Sequence, residues 1–159
     1  MICLDTNIVI WIVNGRSSSL RHRLGEQMRA RTPVALPVIA LFEMRYGFAK
    51  SHRRDHSESL LQKFLGLGID VLPFETEDAE HAGQIRAELE SIGTPIGPYD
   101  YLIAAQARRR GAALVTLNRR EFDRVPGLIV VNWPACSQLV ARGFNRLRRR
   151  QLDCTSFDA

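Results

Sequence analysis

The chain alternates short, almost wholly apolar runs with longer stretches of helical periodicity, and this alternation constrains its architecture more than any other feature. Ile2 to Leu4 read as a first strand, Val34 to Leu36 as a second and Ile69 to Leu72 as a third, with two more at Ala113 to Leu117 and Leu128 to Val131. Between them, Asn7 to Val13 form a short helix stopped by Asn14-Gly15. Ser17 to Ser19 then offer a cap to a helix whose Leu20, Leu24 and Met28 share one face. Further helices are expected over Val38 to Ala49, His52 to Leu65, Thr76 to about Gly93, and Tyr99 to Arg110, with Gly111 closing the last. Mainly apolar strands separated by helices predict an α/β three-layer sandwich, with a central, mainly parallel sheet of four or five strands covered on both sides.

A chain of 159 residues suffices for one such domain. We expect it over residues 1–134. The segment after Trp133 has few apolar anchors and a dense basic run, so residues 135–159 are expected to form a basic, partly disordered extension. Of the net charge of +5, this segment carries +3, five arginines against two aspartates. Only Lys50 and Lys63 among the 22 basic residues are lysine. Arginine dominance suits phosphate, so nucleic acid is permitted as a partner without being demanded. No apolar run approaches the ~18 residues of a membrane span, and no basic leader opens the chain. Cys3, Cys136 and Cys154 are scattered, with no CxxC and no histidine at ligand spacing. The expectation is a cytoplasmic protein with no membrane association, no disulfide framework and no structural zinc.

Ligands of open parallel sheets bind beyond the carboxyl ends of the strands, so the acids placed there matter most. Asp5 directly follows the first strand, where it also suits a helix cap. Glu43 lies on the helix 38–49, which is apolar nearly all round and therefore expected to be buried. A carboxylate there needs a partner, either a metal site or an arginine elsewhere in the fold. Asp100 sits in the first turn of its helix, a position that satisfies the helix dipole, yet it shares a stripe with Ile103, Ala104 and Ala107. Thr116, Asn118, Glu121 and Asp123 occupy a strand end and the loop beyond, where each is also ordinary turn chemistry. If these groups meet in one cleft, their like-charge repulsion calls for a hard divalent cation with oxygen ligands. Mg²⁺ or Mn²⁺ is therefore expected rather than zinc.

Four blocks in this order, LDTNIVIWIVNG, IALFEMRYGF, IGPYDYLIAAQARRRG and LVTLNRREFDRVPGLIVVNW, resemble the PIN-domain ribonucleases, and most closely the VapC-type toxins of bacterial toxin–antitoxin pairs. The likeness spans about residues 1–134. It implies a PIN-like sandwich, Mg²⁺- or Mn²⁺-dependent cleavage of RNA, a homodimer, and a cognate antitoxin that neutralises it, in a larger hetero-oligomer. Asp5, Glu43 and Asp100 match the family's first three acids and would hold metal and carry catalysis. The fourth position falls on Asn118, an aspartate in many members, and Glu121 or Asp123 would have to compensate. Thr6 and Thr116 would support the site, and Arg108, Arg109, Arg110, Arg119 and Arg120 would contact phosphates. A cluster of Leu60, Leu61, Phe64 and Leu65 with Phe48 offers apolar surface for an antitoxin segment.

Two rivals remain at this level. A phosphatase using a strand-end aspartate as nucleophile wants a second aspartate two residues on, where this chain has Asn7. A PIN-like binding module without catalysis, acting with its antitoxin on nucleic acid, is favoured by Asn118 and opposed by the three matching acids.

Overall fold

In the computed structural model, which describes residues 1–133, every expected strand forms, and all pair in parallel. The extension expected at 135–159 lies outside the described residues. The strands are β1 (Ile2–Leu4), β2 (Val34–Pro37), β3 (Asp70–Leu72), β4 (Ala113–Val115) and β5 (Ile129–Val131), and they line up in the order β3-β2-β1-β4-β5. Their side chains explain the arrangement. Cys3, Leu4, Leu36, Leu114 and Val115 are buried, as strands covered on both faces require.

The helices are α1 (Thr6–Val13), α2 (Ser18–Arg29), α3 (Val38–Ala49), α4 (Arg54–Leu65), α5 (Thr76–Ser91), α6 (Pro98–Arg109) and a short α7 (Arg119–Phe122). Ser17 caps α2, its hydroxyl accepting from the Leu20 amide at 3.3 Å. Gly111 takes the positive φ (57°) that closes the α6 end. None of the helices among the described residues is long and apolar enough to cross a membrane.

The strand order fixes where chemistry can sit. Leaving β1 the chain passes to β2 on one side, and it later returns to β4 on the other, so the switch point of the sheet lies between β1 and β4. Leu4 pairs with Val115 there. Asp5 and Thr116, the next residues of each strand, therefore stand side by side at the carboxyl edge.

Two expectations about apolar surface need correction. Helix α3 is not buried all round, because one stripe, Ala40, Met44 and Phe48, suffices to pack it against the core. Phe42 and Tyr46 remain 47% and 54% exposed, stacked on each other, with Tyr99 edge-on to Phe42. In the apolar cluster of α4, Leu61 and Phe64 belong to the core, as does Phe48 of α3. Only Leu60 and Leu65 keep part of their surface for a partner.

Candidate functional site

Asp5 is the N-cap of α1 and is only 2% exposed. One carboxylate oxygen accepts from the Thr6 amide at 2.7 Å, and the other from the Thr116 hydroxyl at 2.7 Å. Thr116 in turn accepts from the Asn118 amide at 2.9 Å, so the β4 exit loop is tied to Asp5 through one hydroxyl. Burial pushes the Asp5 carboxyl up to about 6; the bonds from Thr116 and Thr6 restrain the rise, and the negative charge of Glu43 adds to it. Capping and site placement thus coexist. The cap aligns the carboxylate at the switch point.

Glu43 reaches the same place from α3. Its carboxylate accepts from the Thr6 hydroxyl at 2.5 Å, so Thr6 bridges two acids, by its amide to Asp5 and by its hydroxyl to Glu43. Burial raises the Glu43 pKa as well, with the Thr6 bond acting against it. Among the described residues no arginine pairs with Glu43. Arg45, on the same helix, turns to Glu58 at 3.8 Å.

Asp100 and Glu121 form a second pair. Both carboxylates close on the Cα of Gly97, where an added Cβ would lie 2.7 Å from Asp100 Oδ2 and 3.6 Å from Glu121 Oε2. Glu121 is 4% exposed and accepts from the Gly97 amide at 3.2 Å. It sits on α7, which the sequence alone read as loop. Asn118 is the N-cap residue of that helix, one step outside it.

Other candidates fall elsewhere. Asp123 ends α7 and pairs with Arg119 at 3.0 Å, because the i, i+4 spacing turns it outward, away from the acids. Arg108, Arg109 and Arg110 lie at the opposite end of α6, about 14 Å along the axis from Asp100. Their donors are engaged. Arg108 bonds His81 and Gln84, while Arg109 and Arg110 converge on Asp78 and Glu75. Together they clamp α6 to α5. Arg119, which pairs with Asp123, and Arg120 are exposed at the start of α7.

The donor set is oxygen only, which suits a hard cation and excludes a thiolate or imidazole zinc site. Among the described residues no three His, Cys, Asp or Glu side chains stand together at metal-ligating distance. The acids are assembled instead as two pairs, Asp5 with Glu43 and Asp100 with Glu121. Sequence reasoning missed Gly97. The signal was the Gly-Pro before Asp100, which it used only to start a helix.

The Thr116 hydroxyl carries a measurable share of this arrangement. Thr116→Val leaves an Asp5 oxygen and the Asn118 amide without their partner, so we expect a loss of about 1–3 kcal/mol in urea unfolding. The same change removes a bond that holds the Asp5 pKa down, so the Asp5 titration should move further up.

Comparison with known proteins shows the family and the fold. A family model described as PIN domain matches residues 2–128. The tRNA(fMet)-specific endonuclease VapC of Shigella flexneri is 39% identical over 130 residues, 82% of this chain and 96% of that protein. The crystal structure of VapBC2 from Rickettsia felis bound to a promoter DNA fragment superposes with a TM-score of 0.78 at 36% identity, covering 84% of this chain and all of the other. DNA-bound VapBC from Salmonella typhimurium gives 0.77 at 37% identity, with the same coverage.

Proposed function

The chain belongs to the PIN-domain family, and on that premise we propose that it is a divalent-metal-dependent endoribonuclease, the toxin of a VapBC-type toxin–antitoxin pair. The observation that carries this reading is the Thr6 bridge, which holds two acids from different helices together at the switch point of the sheet. Asp5 and Asp100 would hold Mg²⁺ or Mn²⁺, and Glu43 would orient the attacking water. A bound divalent ion supplies an acidified water and neutralises the non-bridging oxygens of the phosphodiester. Glu43, its pKa raised by burial against the pull of the Thr6 bond, is placed to accept the water's proton. Thr6 keeps its carboxylate aimed at the cleft, and Arg119 and Arg120 can meet the RNA backbone at the rim.

The partners follow from the same premise. The chain works as a homodimer within a complex with an antitoxin that silences it; the DNA-bound VapBC complexes of Rickettsia felis and Salmonella typhimurium support an antitoxin partner. Leu60 and Leu65 on α4 keep part of their apolar surface for that contact. The extension 135–159 adds nonspecific RNA affinity through its arginines. The inactive binding-module reading is weakened by Glu121, whose carboxylate lies with that of Asp100 at Gly97 and would compensate for Asn118.

The test is cleavage of labelled RNA by the antitoxin-free protein, with tRNA(fMet), the substrate named for the Shigella flexneri relative, as the first choice. Cleavage with Mg²⁺ or Mn²⁺ that stops with chelator is expected. Intact RNA with both ions would overturn the reading.

A second prediction concerns the metal-free protein. Glu43→Gln keeps an oxygen to accept from Thr6 and removes a charge beside Asp5. An acid with a raised folded pKa stabilises below its unfolded pKa and loses that contribution as pH rises. The melting temperature at pH 7 in chelator should therefore be equal or higher in the variant, with the difference shrinking toward pH 4. A loss of roughly 3–5 kcal/mol would instead indicate a broken buried ion pair.

A further inference from the structure

We propose that Phe42, Tyr46 and Tyr99 form a platform on which the unpaired bases beside the scissile phosphodiester stack, an inference that rests on the ribonuclease reading above. The three rings are 47%, 54% and 44% exposed, and they form one cluster across two helices. Phe42 stacks on Tyr46 at 6.3 Å between ring centres, and Tyr99 meets Phe42 edge-on at 5.4 Å. Core packing does not explain them, because Ala40, Met44 and Phe48 on the other side of α3 already seat that helix on the sheet. A contiguous cluster of large exposed rings on a small domain marks a surface that something else covers.

Position selects the occupant. Phe42 directly precedes Glu43 on α3, and Tyr99 directly precedes Asp100 on α6. Tyr46 lies three residues beyond Glu43, so it shares the edge of the helix from which that acid reaches Thr6. The platform is therefore continuous with the acid cleft along both helices, and a polymer whose backbone is cut there brings its neighbouring nucleotides beside these rings. Lys50 adds the matching charge. One turn beyond Tyr46 on the same stripe, its ammonium stands over the Tyr46 ring, 5.2 Å from the centre. Flat aromatic faces beside a cation suit bases on a phosphate backbone, since every base has a π-face and stacking is indifferent to its identity. A duplex hides those faces. The platform thus ranks loops and single strands above paired RNA without reading their sequence.

The experiment uses the antitoxin-free full chain and single-stranded RNA oligonucleotides that carry the fluorescent base 2-aminopurine at successive positions, with wild type, Tyr46→Leu, Tyr99→Leu and Tyr46→Phe. Leucine keeps an apolar side chain and removes the ring, whereas phenylalanine keeps the ring. In chelator, where the RNA stays intact, wild type and Tyr46→Phe should quench the fluorescence on binding, and each leucine variant should bind about 5-fold or more weakly with a smaller quench. With Mn²⁺ the leucine variants should raise KM by a similar factor and leave kcat, melting temperature and sedimentation nearly unchanged. Wild-type affinity and quenching in both leucine variants overturn the platform, assign the face to a protein partner and leave the ribonuclease reading intact. Loss of cleavage together with a halved sedimenting mass also overturns it, assigning the face to contact between copies of this chain. A wild-type protein that neither cuts RNA nor quenches the probe removes the ribonuclease reading and the platform together. Should Tyr46→Leu fail to fold, Tyr99→Leu decides alone, since it lies on the other helix.

Discussion

Asp5→Asn is expected to lower RNA cleavage on the order of 10²–10³-fold and, in the same protein, to raise stability at neutral pH. A role confined to folding would not produce this combination. Asparagine caps a helix as well as aspartate does, so the bond from the Thr6 amide survives, and the Thr116 hydroxyl can reorient to accept from the new amide. What disappears is a charge held at 2% exposure beside Glu43. With the Asp5 carboxyl pushed up to about 6 from an ordinary 3.8, the folded state binds its proton more tightly than the unfolded chain does. Its stabilising contribution is present below about pH 4 and lost as pH rises through 6, which makes ionised Asp5 a cost of roughly 3 kcal/mol at pH 7. Urea unfolding in chelator at pH 7 and pH 4 checks this, with the gain confined to the higher pH. Asp100→Asn should lose comparable activity with a smaller change in stability, because Asp100 is only half-buried. Undiminished cleavage by either variant would remove that acid from the site.

The contrast between the two acid pairs shows what the sequence could and could not reveal. Asp5 was legible because a strand of three apolar residues ends immediately before it, and chain order alone then places it at the carboxyl edge. Glu43 was legible as an acid on an apolar helix, but its partner was not. The Thr6 hydroxyl lies 37 residues away in sequence, and only the packing of α1 against α3 brings them together. The burial of α3 was overestimated for a related reason, since composition reports that a helix is apolar without saying which stripe the core needs. Phe42 and Tyr46 are as apolar as Met44 and Phe48, and only the fold separates them. Glu121 and Asp123 were equivalent in sequence. The four-residue helix α7 turns the first toward Gly97 and the second toward Arg119, and no periodicity that short can be read from the chain. For Arg108, Arg109 and Arg110 charge alone suggests phosphate, and only the fold shows that His81 and Gln84 accept from the first and Asp78 from the other two.

That acid, Asp78, gives the largest stability effect expected in the molecule. It is fully buried, accepts from the Glu75 amide at 2.9 Å, and receives Arg109 Nε and Arg110 Nη1 on its other oxygen, each at 2.7 Å. Burial alone would push its pKa up, but the Glu75 amide and the two guanidiniums more than offset this, and the carboxyl is held below its ordinary value. Its linkage therefore has the opposite sign to that of Asp5. The stabilisation is present above the unfolded pKa and is lost as pH falls through the folded one, so Asp78 weakens the fold in acid where Asp5 strengthens it. Asp78→Ala leaves Arg109 and Arg110 partly buried with only the exposed Glu75 carboxylate still shared between them and breaks the capping box of α5, for an expected loss of roughly 3–5 kcal/mol in urea unfolding at pH 7. Arg109→Ala should cost less, because Arg110 still satisfies the carboxylate. The clamp lies at the far end of α6 from Asp100, so cleavage per folded molecule should stay at the wild-type rate in Asp78→Ala under conditions where it remains folded. A loss under about 1 kcal/mol would show that the two arginines stabilise nothing through Asp78. A selective fall in the cleavage rate, with stability kept, would return them to the substrate path.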